Sequence, residues 1–413
     1  MSASTQFAPI SIGFPFDVGA AVWQHRVMMS ETENPFSLTR AAPVQASAPR
    51  IKLLSVLLVA ALCLAGAPKV HHHVTVFQEK GRYGGWPANY GLWSWGDEIL
   101  VGFSAAYFKL LPPNRHQYDN TKPEEPRLAR SLDGGETWTV EAPPSILPPE
   151  QGGPAVMELD KPMDFTDPNF AMMLRFTDTN RGSSRFWYTT DRGHKWRGPF
   201  AFPLLGQRGI AARTDYIVNG KLDLLIFLTA SKSDGKEGRP LCARTEDGGM
   251  TWKFVSWIGG EPAGFSIMPS TVRLAKKELV TATRVKYDGN SGGIDLYRSM
   301  DDGASWQSYG RPVVWSGPFN GNPPSLIRLR DGRLLLTYGM RTPPYRICAR
   351  FSNDGGKVWS DEIVLRNDGA LWDLGYVRSV QRPDGNIVTV YYFPELASTE
   401  RIIAATIWDP GTK

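Results

Sequence analysis

The sequence predicts an all-β chain folded as a β-propeller of six blades, each of four antiparallel strands, with room for a seventh. Three observations lead there. An octet reading Ser or Thr, any residue, Asp, any, Gly, any two, Trp occurs five times. Short apolar runs come in pairs around DG and NG dipeptides, the sequence signal of hairpins. The last repeat lacks one strand, and a β-prone segment near residue 70 is free to supply it and close the ring.

The octets are SLDGGETW (131–138), TTDRGHKW (189–196), TEDGGMTW (245–252), SMDDGASW (299–306) and SNDGGKVW (352–359). Their aspartates, Asp133, Asp191, Asp247, Asp301 and Asp354, lie 58, 56, 54 and 53 residues apart. A regular period of that length marks stacked or circular repeats. Aspartate accepts hydrogen bonds from backbone N–H groups just ahead of it, and glycine takes a positive φ without strain. Each octet is therefore expected to be a hairpin turn clamped by its tryptophan. Repeats hold equivalent residues apart, whereas catalytic groups converge. The five aspartates are thus structural braces rather than a calcium or catalytic set.

Along the chain, residues 1–50 show nothing of the repeat and are taken as an extension outside the fold. IKLLSVLLVAALCLAGA (51–67) follows Arg50, and its apolar run of about 15 residues ends in small residues before Pro68. That is the build of a signal-peptide core, or of a signal anchor if uncleaved, and it is short for a membrane span. Its late position is expected if the true start is Met28 or Met29. Secretion or delivery to a periplasm follows as an expectation.

VHHHVTVFQEK (70–80) is the strand that joins the termini. Neighbours on a strand point to opposite faces, so His71, His72 and His73 cannot converge on one ion. No metal and no cofactor are expected. Strand pairs then follow in GLWSWGDEILVGF (91–103), DPNFAMMLRF (167–176), TDYIVNGKLDLLIFL (214–228), STVRLAKKELVTATR (270–284), SLIRLRDGRLLLTYG (325–339) and YVRSVQRPDGNIVTVYY (376–392). A third strand and an octet come after five of them, and the sixth ends in RIIAATIWDP without an octet. A seventh blade would need a weak unit in 140–165 or 257–267. Cys242 and Cys348 sit in similar strands of different repeats, PLCARTEDGG and RICARFSNDGG. Each is expected to be a small buried residue, not half of a disulfide. His194, inside an octet, is expected to be exposed.

Of 413 residues, 41 are glycine and 32 proline, which suits many short strands joined by turns. The net charge of +5 is small, and the basic residues are scattered, so there is no nucleic-acid footprint.

In a propeller, side chains converge where the innermost strands end around the central channel. Arg213, Arg273, Arg328 and Arg378 lie on or beside first strands, with Asp164, Asp215, Asp373 and Tyr376 near them. Arginine grips a carboxylate bidentately, so such a ring suits an acidic sugar, sialic or uronic. Arg213 and Arg378, flanked by Asp215 and by Asp373 and Tyr376, are the substrate-binding candidates. Arg273 and Arg328 read as surface residues paired locally. The loop RHQYDNTKPEE (115–125) adds Lys122 and His116, the latter a general acid or base near neutrality or else a plain surface histidine.

The octets are Asp boxes, and over roughly 70–413 the chain resembles sialidases and other Asp-box β-propellers. That resemblance implies boxes remote from the active site and a tyrosine nucleophile, for which Tyr376 in DLGYVRS stands; the Arg-Ile-Pro of sialidases is absent. A narrower resemblance is carried by GRYGGWPANYGLWSWGDEILVGF (81–103), RHQYDNTKPEEPRLARSLDGGETW (115–138) and DLGYVRSVQRPDGNIVTVYYF (373–393). These are similar to secreted propellers acting on rhamnose linked to glucuronic acid, α-L-rhamnosidases and rhamnose–glucuronate lyases. That group is expected to place a catalytic histidine after Trp-Pro-Ala-Asn; here Asn89 is followed by Tyr90. The resemblance implies an exported enzyme, with Tyr90, His116 or Tyr376 moving the proton and Asn89 binding substrate. A phenol at 90 would act as a base if an arginine lowered its pKa. The substrate would be an oligosaccharide or polysaccharide with acidic sugars, cleaved by hydrolysis or elimination. The competing expectation is a glycan-binding propeller that has lost its histidine. A monomer is expected, with no nucleic-acid partner and a membrane only through an uncleaved signal.

Overall fold

The computed structural model describes residues 66–112, 115–287, 291–318 and 320–412. The expectations placed on the extension and on the apolar run up to residue 65 lie outside the described residues.

The fold is all-β and propeller-like, arranged in five sheets, with no α-helix among the described residues. Three sheets each come from one stretch of chain: Ala171–Phe176 to Arg197–Phe202, Phe265–Ala275 to Gln307–Gly317, and Ser325–Arg328 to Ile363–Gly369. A fourth pairs Ile210–Ala211 and Tyr216–Val218 with Leu224–Ser231, followed by Glu237–Thr245 and Lys253–Trp257. The nine-stranded sheet holds both ends of the described chain. Its strand Lys69–Phe77 pairs antiparallel with Arg401–Asp409, as expected of residues 70–80. One parallel bridge, Tyr83 to Arg401, ties the early strands to the late ones.

The middle strands Leu224–Ser231, Leu334–Met340 and Ile387–Pro394 are buried at every position. A strand covered on both faces must read as a largely apolar run, and LLIFLTAS, LLLTYGM and IVTVYYFP do. Cys242 and Cys348 are buried free thiols. Neighbouring sheets are stitched together by hydroxyls: Leu174 N–H donates to Thr214 Oγ1 at 3.0 Å, Leu326 N–H to Ser270 Oγ at 2.9 Å and Ser379 N–H to Ser325 Oγ at 3.2 Å.

All five Asp boxes form the expected brace. Asp133 accepts from Ser131 Oγ at 2.7 Å and from the Thr137 N–H at 2.9 Å. Asp191, Asp247, Asp301 and Asp354 repeat both contacts, the second always from the N–H four residues on. The box glycines have a second duty. Gly193 has φ +83°, and a Cβ there would stand 2.4 Å from Leu100 of another sheet. The register places every box at one end of its sheet: Ser131 faces Ile99, Ser299 faces Leu279 and Ser352 faces Leu334, each near the start of a middle strand. His71, His72 and His73 pair separately, with Asn386, Glu136 and Thr406. His194 is exposed, 3.9 Å from Glu98.

Candidate active site

At the end of the sheets away from the boxes, two adjoining cavities of about 380 and 480 Å³ share His116 and Tyr118 as a common wall. Their polar groups arrive from three places. Middle strands end in Arg175, Arg284 and, one residue past Met340, Arg341. A single turn of 3₁₀ helix, Pro87–Asn89, brings Trp86, Asn89 and Tyr90. It crosses Gly102 so closely that a Cβ there would lie 2.6 Å from that of Tyr90. The loop after Tyr107 carries His116 and Tyr118.

His116 Nδ1 lies 2.6 Å from Asp373 Oδ1. Asp373 is fully buried and accepts further from Tyr392 Oη at 2.6 Å, Tyr83 Oη at 3.1 Å and the Gln117 N–H at 3.1 Å. Arg401 Nε stands 3.6 Å and Arg341 Nη2 3.9 Å from its carboxylate. Burial alone would push this acid up, but His116, Arg401 and Arg341 outweigh it and hold it well below the usual carboxylate range. An ionised acceptor at 2.6 Å fixes the proton on Nδ1 and leaves the Nε2 lone pair for chemistry. Trp372 stacks on the imidazole at 6.2 Å, and Trp86 meets it edge-on at 5.2 Å.

Tyr376 stands beside this pair, its ring 6.0 Å from that of His116. Its φ is +49°, held by an N–H donated to Asn322 Oδ1 at 3.0 Å. Its hydroxyl accepts from Arg284 Nη1 at 2.9 Å. Arg284 also donates to Asn320 O at 2.7 Å, while Arg341 donates to Gly321 O at 2.9 Å and Tyr392 Oη at 2.8 Å. Both guanidiniums are buried and bonded mainly to neutral acceptors. With Lys109 and Arg115 they line the larger cavity, where no carboxylate lines the wall among the described residues. The smaller cavity differs: Arg175 pairs with Glu124 at 3.3 Å, Arg185 with Glu150 at 2.8 Å, and Arg213 with Glu237.

The sequence-predicted residues divide accordingly. His116, Tyr376 and Asp373 come together. Asn89 lines the smaller cavity and accepts from Arg213 Nε at 3.0 Å, so Arg213 is already committed to two partners. Tyr90 reaches the cavity but not as a base. Its hydroxyl pairs with Ser104 at 2.9 Å, and burial pushes its pKa up to about 12 although Arg175 lies 3.7 Å over its ring. The expectation that an arginine would lower it is thereby corrected: desolvation exceeds the cation's pull.

Arg378 and Asp215 lie outside both cavities, beneath the 87–89 turn in a third cavity of about 310 Å³. Arg378 Nη2 donates to Ala88 O and Thr214 O, both at 2.8 Å. Asp215 is held by Thr271, and burial raises it to about 7 despite Arg378. Lys122 is exposed over the Tyr107 ring at 4.8 Å and lines neither active cavity. Asp164 is an exposed turn brace for Thr166. Arg273 pairs with Asp302 at 2.6 Å and Arg328 donates to Leu274 O at 2.9 Å, local contacts as expected. Sequence reasoning missed Arg175, Arg284 and Arg341. The signal is present in the sequence, a basic residue near the end of the strand in AMMLR, LTASK, TATR and TYGMR of four successive repeats.

Asp-box sheets with a His–Asp pair and buried arginines at the end away from the boxes define an Asp-box, propeller-like protein. Residues 127–389 match the BNR repeat-like domain, and the chain belongs to that family. No curated protein matches it in sequence. Among solved structures, a protein of unknown function from Dyadobacter fermentans is similar with a TM-score of 0.64 at 19% identity, over 83% of this chain and 99% of that one. A mutant of Trypanosoma rangeli sialidase displaying trans-sialidase activity matches with a TM-score of 0.55 at 13% identity, over 83% of this chain and 60% of that one. Penicillium chrysogenum α-L-arabinanase, complexed with arabinobiose, matches with a TM-score of 0.53 at 15% identity, over 83% of this chain and 99% of that one. These likenesses are of fold.

Proposed function

We propose that the protein is an exported carbohydrate-active enzyme that cleaves a glycosidic bond next to or within an acidic sugar, with His116 as its base. The observation that carries this reading is the 2.6 Å contact from His116 to a buried, ionised Asp373, on the wall of a cavity lined by Lys109, Arg115, Arg284 and Arg341. The Arg284 guanidinium, bonded to a neutral carbonyl and a phenol, keeps its charge for a ligand, and a carboxylate is the planar partner it fits best. Tyr376 is held by Arg284 rather than by a carboxylate, so no base activates it as a nucleophile among the described residues. That supports a uronate, handled by His116, over sialidase-type chemistry, in line with the narrower sequence resemblance to propellers acting on rhamnosyl-glucuronate. We take the five sheets as six blades in a closed ring: the nine-stranded sheet divides at its one parallel bridge, and Lys69–Phe77 completes the last blade.

One observation favours the alternative, a glycan binder without turnover. Tyr90 stands where the resemblance implies a histidine, and its phenol is tied down and pushed up to about 12. The test is turnover of sialylated and rhamnosyl-glucuronate glycans by the purified protein, followed by mass spectrometry of products. Cleavage that disappears in His116→Gln supports the enzyme. Binding without cleavage, with activity gained in Tyr90→His, supports the degenerate binder.

A further inference from the structure

We propose that Tyr118 is the second catalytic group of this site, the proton donor that works opposite His116; this rests on the functional reading above. His116 and Tyr118 are the two side chains common to both cavities. Both rings stand edge-on to one indole, that of Trp86, at 5.2 and 5.0 Å. They therefore border the same small volume.

The hydroxyl sets Tyr118 apart. The neighbouring phenols are all engaged: Tyr83 and Tyr392 donate to Asp373, Tyr90 pairs with Ser104, and Tyr376 accepts from Arg284. The Tyr118 hydroxyl has no hydrogen-bond partner among the described residues, although its ring is half-buried. A polar group left open in a cavity wall is satisfied by solvent or by a ligand. Burial, with Glu124 and Tyr376 adding to it, pushes its pKa up, so the proton stays on oxygen at neutral pH. His116 is arranged the other way, with its Nδ1 proton committed to Asp373 and Nε2 open. One group is set to give a proton and the other to take one.

In the step, the glycosidic C–O bond breaks, the electron pair stays on oxygen, and that oxygen takes the Tyr118 proton. His116 Nε2 takes a proton from the attacking water in hydrolysis, or from the carbon beside the carboxylate in elimination. Transfer of that proton from imidazolium to phenolate restores both groups. No oxidant or further reactant is needed.

Tyr118→Phe removes one oxygen and keeps the ring packing. It is compared with the unaltered protein on the acidic glycan that the latter cleaves, and on a matched substrate with nitrophenol as leaving group. On the glycan, kcat is expected to fall about 10²-fold or more with KM within about 3-fold, the size of effect general acid catalysis supplies. Nitrophenol leaves without a proton, so that substrate should lose less than about 3-fold. The alkaline limb of the kcat–pH profile should vanish in the variant. Full activity of Tyr118→Phe on the glycan, or equal loss on both substrates, overturns the inference and leaves the functional reading standing. No turnover by the unaltered protein overturns both.

Discussion

At the scale of single residues, two buried carboxylates carry opposite instructions. Asp373 is surrounded by donors and cations and stays ionised; Asp215 is surrounded by little besides Thr271 and Arg378 and is raised to about 7. A carboxyl whose folded pKa lies above its unfolded value near 4 binds a proton in the fold before it does in the unfolded chain. Asp215 therefore stabilises the fold most at low pH, and that contribution is lost as pH rises from about 4 through about 7. Asp373, depressed, contributes above its unfolded pKa and loses its effect only as pH falls below it. In chemical denaturation at pH 5 and pH 8, Asp215→Asn is expected to flatten the decline in stability seen in the unaltered protein. A slope that persists in the variant would assign it elsewhere. Under the proposed function, Asp373→Asn acts on chemistry instead. The amide can offer a donor to Nδ1 and invert the tautomer, so kcat is expected to fall by about 10²-fold or more, with glycan affinity little changed. Of this pair, the sequence showed that Asp373 stood beside Tyr376, but not that it would meet His116 across 257 residues of chain. Such pairing comes from sheet packing, which no local pattern encodes.

At the scale of the element, the Asp box is a wedge as much as a turn. Its carboxylate organises the loop, and its glycine lets that loop lie against another sheet. Gly303 has φ +88°, and a Cβ would meet Cys242 Sγ at 2.9 Å. Gly303→Ala is therefore expected to destabilise by about 1–3 kcal/mol, combining left-handed strain with overpacking. Asp247→Ala removes acceptors for Thr245 Oγ1, Thr251 N–H and Thr251 Oγ1 and should cost about 1–2 kcal/mol. Neither change should alter glycan turnover, since the register sets boxes and cavities at opposite ends. Thermal melts and assays on the same preparations check this. Here the sequence was most legible. Period, turn chemistry and alternating strands are local and repeat five times, so the boxes, the strand pairs and the role of residues 70–80 were all readable. The cavity was less so. Its Arg284 and Arg341 lie near the ends of middle strands, and their convergence depends on how the sheets pack against one another. Arg378 lies on a first strand and Asp215 just before one, as expected, but the 87–89 turn sits between them and the cavities.

At the scale of the whole molecule, one strand carries the ends of the described fold. Lys69–Phe77 covers the outer edge of Arg401–Asp409, and the first residues after it run into the strand that bridges Arg401 at Tyr83. Without that cover, Arg401–Asp409 would present a long, flat and apolar edge, the kind that pairs with other chains. The same strand also carries Arg401, whose Nε donates to Asp373 O at 2.7 Å. Loosening the edge thus reaches the candidate site through the backbone that positions the His116 partner. Deleting residues up to 77 is expected to lower the melting temperature, broaden the transition and promote oligomers seen by light scattering. A milder change separates edge from site. Val76 and Phe77 are buried in the core on the side of Phe103 and Ile403, so Val76→Asp should weaken the terminal strand while leaving every cavity residue in place. If the strand seals the fold, this variant should melt earlier yet turn over glycan normally at low temperature. Activity falling in step with the deletion, even at low temperature, would instead show that terminal pairing is needed to hold Asp373 against His116.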